Sequence, residues 1–318
     1  MRIVGSGALN LDFFYEIDDL RRLKKIGKDL KPGGEVWGTR EEFEKLRDEL
    51  EQKGKFIARS GGGSAANTIY ALKNWGFETG FIGIVGEDPE GDAILAELAG
   101  VELSRVIRKG KSACCIIIID AQKDRAIFVS PHSEEHLLAH YQPSTIPQEW
   151  LHVSSLITNE GLAFHRNLKE KHQGTFSIDP GEIYAQKGLE FLKPLLSRAE
   201  FLFITEQELV YLGLKPEDFA DLSSNVFLKR GKKGAILFKD GQKIEIPAVK
   251  PQEILDNTGA GDVFDAGVIA GVLSGLSARE AGFLGAAMAA LSLRDYGRKG
   301  YPKREEFLYW RNHGAGKS

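Results

Sequence analysis

The sequence predicts an α/β protein: a three-layer α/β/α sandwich around a mostly parallel central sheet, with a small second sheet beside it. Three observations carry that reading. From position 150 onward, short apolar runs alternate with helical stretches, the pattern of successive βαβ units. The runs at 151–156, 175–179, 200–204 and 225–229 are short, mostly apolar and poorly alternating, as in strands covered by helices on both faces. Two excursions, 13–37 with 55–60 and 113–130, fit such a core badly and are set apart as the second sheet.

Taken in order, Ile3 and Val4 open a short strand that runs into Gly5, Gly7, Asn10 and Asp12. A turn is expected at 31–34, where the sequence is KPGG. Residues 39–53 read as a surface helix. Thr39 is its N-cap, and Glu42 follows at capping-box spacing. A strand at 55–59 ends in SGGGS and leads into a helix at 65–75 that stops near Gly76. A strand at 79–86 and a helix at 91–98 come next. The stretches 113–120 and 125–130 pair around a turn at 122–124, and 235–238 pairs with 243–246 around Asp240 and Gly241. Helices at 262–274 and 278–293 complete the pattern.

The bulk properties narrow the class. A chain of 318 residues accommodates one large domain. A net charge of −3, with lysines and arginines spread along the chain, argues against a nucleic-acid partner. Cys114 and Cys115 are the only cysteines. Adjacent on a strand, they point to opposite faces and cannot staple distant segments, which fits a reducing, cytoplasmic compartment. The first residues are too glycine-rich for a signal peptide, and no apolar stretch approaches the length of a membrane span.

The segment DNTGAGDVFDAG at 256–267 carries most of the chemistry. Gly259, Ala260 and Gly261 leave the first N–H groups of a helix uncovered, and the positive end of that helix suits an anion. Asp262 then stands where a carboxylate takes a proton from a hydroxyl attacking a phosphate. Taken alone, the segment fits an aspartate that merely caps its helix equally well. The segment SGGGSAAN at 60–67 lets a ligand approach the backbone, and Asn67 offers both a donor and an acceptor. A tight strand-to-helix turn also accounts for it. Gly5 and Gly7 begin a dinucleotide pattern, but the third glycine is missing and a strand follows instead of a helix. Asn10 and Asp12 read as polar groups at the carboxyl edge of a parallel sheet. The stretch 314–318 resembles half a phosphate loop but has Arg311 where that loop needs glycine, and it is set aside. His132, His136 and His140 have helical spacing and read as an exposed polar face.

Together, residues 61–91 and 256–267 resemble the two signatures of the ribokinase, or PfkB, family of carbohydrate kinases, and the resemblance spans nearly the whole chain. It implies a single ribokinase-like catalytic domain over 1–318, with a small β-sheet lid formed by about 12–60 and 111–130. It implies ATP and Mg²⁺ as the phosphoryl donor and its metal, Asp262 as catalytic base, and Gly259, Ala260 and Gly261 as the anion hole. Asn10, Asp12, Gly62, Gly63 and Asn67 would hold substrate hydroxyls, and Lys229, Gly231 and Thr258 the nucleotide. Glu208 would reach Mg²⁺ through water, and Asp256 would lie near a monovalent cation such as K⁺. Two departures stand out: Thr205 replaces the asparagine of the family's Asn-x-x-Glu, and Lys229 stands where a threonine is common.

The long stretch from Asp12 to Gly62 resembles the adenosine-kinase branch, so sugar and nucleoside acceptors both stay open. Phe13, Phe14, Tyr15 and Trp37 are candidates for the wall of a base site, or for lid core. The reaction implied is phosphorylation of a hydroxyl, a primary CH₂OH above all. The rival readings are a non-catalytic sugar or nucleotide sensor on the same fold and an NAD-dependent dehydrogenase. An exposed edge of the lid sheet would favour a homodimer.

Overall fold

Nearly every residue of the inner strands of the large sheet is buried, and alternate side chains enter opposite helical layers. The computed structural model describes residues 1–20, 23, 30, 34–121, 125–144 and 148–314. The turn residues expected at 31–33 and 122–124 and the tail 315–318 lie outside the described residues. The strands are β1 (Ile3–Ser6), β2 (Asn10–Glu16), β3 (Glu35–Trp37), β4 (Lys55–Gly62), β5 (Thr79–Val85), β6 (Glu102–Arg108), β7 (Ala113–Ile119), β8 (Arg125–Ser130), β9 (Trp150–Ser154), β10 (Thr175–Asp179), β11 (Phe201–Thr205), β12 (Val226–Lys229), β13 (Ala235–Lys239) and β14 (Gln242–Ile246). The helices are α1 (Arg40–Lys53), α2 (Ser64–Asn74), α3 (Pro89–Glu97), α4 (Asn159–Lys171), α5 (Gly181–Ala185), α6 (Leu189–Leu196), α7 (Glu206–Leu212), α8 (Ala260–Leu273), α9 (Ala278–Ser292) and α10 (Arg304–His313).

Nine strands form the central sheet in the order β14-β13-β12-β11-β10-β9-β1-β5-β6. Pairing is parallel from β12 through to β6, and β13 and β14 add an antiparallel hairpin at one edge. In β1, Ile3 joins the core under α2, α8 and α9, while Val4 joins the core under α4, α6 and α7. Phe201 and Phe203 of β11 enter the first of these cores, and Leu202 and Ile204 the second. The chain leaves β1 towards β5 and β6 on one side and later returns to β9 on the other. A cleft therefore opens at the carboxyl ends of the strands, where neighbouring connections diverge.

The second sheet has five strands in the order β3-β8-β7-β2-β4. The two excursions interleave in it: β2 pairs antiparallel with β4 and parallel with β7. Its outer face, including Leu11, Tyr15, Ile116 and Phe128, joins Phe43, Leu46 and Leu50 of α1 in one core. Asn10 and Asp12 lie on β2 of this sheet, not at the carboxyl edge of a central strand. The peptide turns after Ser6 and starts a new strand, and a period of two puts both side chains on its inner face. The same turn removes the dinucleotide reading, because Gly5 and Gly7 lead to a strand and not to a helix N-terminus.

The Thr39–Glu42 capping box forms as its spacing predicts. β6 and α10 have no counterpart in the sequence reading. Among the described residues, no helix is long and apolar enough to cross a membrane. Cys114 and Cys115 are free thiols on opposite faces of β7: Cys114 lies in the outer core and Cys115 lines the cleft.

Candidate active site

The inner face of the second sheet and the carboxyl ends of the central strands enclose a cleft of about 380 Å³. Asp262 lines it together with Asn10, Asp12, Gly63 and Asn67. The start of α8 explains how a carboxylate reaches this point. Its N-cap, Gly259, has φ 76° and ψ 0°, a left-handed conformation suited to glycine, and a Cβ there would collide with the Tyr301 hydroxyl. No side chain caps the helix. Asp262 therefore does not act as a cap. Its Oδ2 accepts a hydrogen bond from Asn67 Nδ2 at 2.8 Å, and its carbonyl accepts one from Thr68 Oγ1 at 3.1 Å. Both bonds clamp α2 against the first turn of α8. Of the three expected anion-hole amides, that of Ala260 turns back to the Asn257 carbonyl at 3.3 Å.

Burial, followed by the negative charge of Asp179, pushes the Asp262 carboxyl up to about 7, against the stabilising bond from Asn67. On the opposite wall, Asn10 Nδ2 donates to Cys115 Sγ at 3.4 Å. Asn10 Oδ1 and Asp12 Oδ1 are buried without a hydrogen-bond partner among the described residues, so two acceptors face the cleft unsatisfied. Burial raises the Asp12 carboxyl to about 7, with Arg298 opposing the shift. Gly62 pairs with Asn10 across the sheet and lies under the Asp12 carboxylate, which a Cβ at position 62 would displace.

Beyond α8, the cleft floor carries a buried charge cluster. Lys229, at the end of β12, donates from Nζ to Asp179 Oδ2 at 2.6 Å and to Asp265 Oδ1 at 3.3 Å. Burial works against its charge, but Asp179, Asp265 and Glu208 outweigh it and raise the Lys229 pKa. The ammonium lies beside the anion loop, since a Cβ at Gly261 would stand 3.3 Å from it. Thr205 caps α7 in place of the family's asparagine. Its hydroxyl accepts from the Glu208 N–H at 3.2 Å, and Glu208 Oε2 accepts from the Thr205 N–H at 2.9 Å. Glu208 is buried, and burial together with Asp179 pushes its carboxyl up to about 7. Thr258 lines the cleft, whereas Gly231 stands in an open turn two residues past Lys229. Asp256 is buried behind the anion loop and accepts from the N–H groups of Thr258 and Gly297, each at 2.9 Å.

Several cleft residues escaped the sequence reading. His132 lies on no exposed helical face. It is buried, lines the cleft and accepts at Nδ1 from the Glu134 N–H at 3.0 Å; only the short segment Glu135–His140 forms a 3₁₀ turn. Burial lowers its pKa. Asp179 was detectable as a charged residue closing a mostly apolar run, as Lys229 is. Asp265, Arg125 and Cys115 carried no such signal. The aromatic wall is absent from the cleft: Phe14 and Tyr15 are buried in the second sheet, Phe13 packs on Phe43, and Trp37 is exposed. Ile117, Ile127 and Val129 line it instead.

A parallel sheet with an acidic cleft at its carboxyl edge and a small sheet across that cleft is the architecture of the ribokinase-like kinases. The fold of a nucleoside kinase from Methanocaldococcus jannaschii matches with a TM-score of 0.77, 20% identity and 98% of each chain covered. Adenosine kinase from Sinorhizobium meliloti matches with a TM-score of 0.77, 19% identity and the same coverage of both chains. An uncharacterized sugar kinase from Archaeoglobus fulgidus is 32% identical over 249 residues, which are 73% of this chain and 98% of that protein. Residues 34–303 match the pfkB family carbohydrate kinase family. The chain belongs to that family, and it is a sugar or nucleoside kinase, a phosphotransferase with an alcohol acceptor. The dehydrogenase reading is thereby replaced.

Proposed function

We propose that the chain transfers the γ-phosphoryl group of ATP to a hydroxyl, a primary CH₂OH above all, of an uncharged sugar or nucleoside, with Asp262 as base. One observation carries the reading: a buried, Asn67-held carboxylate in the first turn of an uncapped helix, facing a cleft with unsatisfied acceptors on its far wall. The acceptor hydroxyl gives its proton to Asp262 as its oxygen bonds to the γ-phosphorus. The bond to the bridging oxygen breaks, and ADP leaves with the electron pair. The N–H groups of the 259–261 loop face the developing charge, and the long Ala260–Asn257 bond is one that a phosphoryl oxygen can displace. Asn10 and Asp12 accept from other acceptor hydroxyls, with Gly62 and Gly63 giving them room. Lys229 and Thr258 face the nucleotide.

Charge favours an uncharged acceptor. Asp12, Glu35, Glu135, Asp179, Glu182, Glu208 and Asp262 line the cleft against Arg125 and Lys229, and Lys229 is already matched by Asp179 and Asp265. A carboxylate or phosphate on the acceptor would be repelled there. Among the described residues, no three His, Cys, Asp or Glu side chains converge on one metal position. Glu208, buried on the cleft floor, would hold Mg²⁺ through water. When bound, Mg²⁺ neutralises charge on the β- and γ-phosphates. Asp256 keeps lone pairs beyond its two backbone bonds, with which it would hold a K⁺ ion.

The test is to incubate the protein with Mg-ATP and a panel of sugars and nucleosides while following ADP. ADP release should require an uncharged polyol and match its phosphorylation. Asp262→Asn should fold and bind ATP yet lose roughly 10²–10⁴ in turnover. Acceptor-independent ADP release, unchanged in Asp262→Asn, would overturn the proposal.

A further inference from the structure

Arg298 lies outside the cleft, yet it is joined to Asp262 through one residue. It follows Gly297 in a short 3₁₀ turn and is only 4% exposed. Its guanidinium is occupied on three sides. Nε donates to Asn67 Oδ1 at 3.0 Å, Nη1 to Glu97 Oε2 at 3.1 Å, and Nη2 to the Gly62 carbonyl at 3.4 Å. The Tyr70 ring lies 4.9 Å from Cζ. Glu97 is itself fixed by the Gly61 N–H at 2.8 Å. The arrangement requires glycine at 61, because a Cβ there would collide with Nη1.

The two ends of an asparagine amide are nearly equal in shape and opposite in chemistry. A guanidinium has donors only, so the end of Asn67 that faces Arg298 must be the oxygen. That leaves the NH₂ end turned to Asp262, where its 2.8 Å bond orients the carboxylate. With Arg298 gone, the amide is free to turn its oxygen toward Asp262, which sets one acceptor against another.

We propose that Arg298 is a positioning residue for phosphoryl transfer: it holds the carbonyl of Asn67 and thereby fixes the amide that aims the Asp262 carboxylate. The proposal rests on Asp262 being the base. It follows that Asn67, which lines the cleft, keeps its NH₂ end and not its carbonyl towards Asp262.

A double-mutant cycle tests this, using whichever acceptor the panel identifies. Arg298→Met should lower kcat about 10- to 100-fold, as expected for a slightly misplaced reacting group, and leave KM for ATP within about twofold. In the Asn67→Ala background the same change should cost less than about twofold, because the residue through which it acts is already gone. Losses that multiply across the two positions would overturn the proposal, as would a single variant with kcat within about twofold of wild type. If thermal melts show that Arg298→Met does not fold, Arg298→Gln takes its place with the same expected outcome, since a glutamine amide carries an acceptor as well as donors and no longer dictates which end of Asn67 faces it. Asp262→Asn separates the two hypotheses. If it keeps turnover, the base assignment fails and takes this proposal with it; if it loses turnover while the cycle is additive, only the role of Arg298 fails.

Discussion

Burial decides how Asp262 works. An exposed aspartate is ionised and weakly basic at neutral pH, but this one is raised to about 7 by burial and by the neighbouring Asp179. As the proposed base, Asp262 is active only when deprotonated, so lowering the pH through that value should titrate activity away. We expect kcat/KM to rise from pH 5, pass a midpoint near 7 and level off above about 8. A profile flat from pH 5 to 8 would mean that no group with this raised pKa carries the proton. Asp262 was legible as a residue because its motif is long and local. The raised pKa was not, because Asp179 comes from a strand more than eighty residues earlier in the chain and only folding brings the two charges together.

At the scale of elements, local signals performed well and long-range ones did not. The α1 cap is written within four residues, and the structure forms it. The same chemistry rescues α7, where Thr205 and Glu208 close a capping box although the asparagine of the family pattern is missing. Thr205→Ala should cost about 1 kcal/mol of stability and lower turnover by loosening Glu208, while Thr205→Asn should keep both, since asparagine caps as well as threonine. Denaturant melts and initial rates on the two variants check this; equal losses in both would show that the cap is not what matters. β6 was missed for a physical reason. Arg105 is buried in the middle of it, which breaks the apolar pattern, and its charge is met by Glu149 through bonds of 2.9 and 3.0 Å. A partner forty-four residues away is invisible to periodicity.

In the whole molecule, the cleft exists because two sheets face each other, and a side-chain contact links them. Arg125 on β8 donates from Nη1 to Thr258 Oγ1 at 3.2 Å, joining the second sheet to the loop that precedes α8. Acting as a lid, that sheet would shield the reacting phosphate from water. Arg125→Ala should raise KM for the acceptor about tenfold and increase ADP formed without acceptor relative to transfer. A coupled assay with and without acceptor reads both, and unchanged values would remove the lid contact from the mechanism. The sequence by itself determined the α/β class, the apolar central strands, the local caps and the two motifs that carry Asn67 and Asp262, because each is set by neighbours within a few turns of chain. Only the tertiary structure decided that Asn10 and Asp12 belong to the second sheet, that Lys229 is held between Asp179 and Asp265, and that Arg298 stands behind Asn67. Burial and the pairing of charges depend on distance in space, which a linear pattern does not contain.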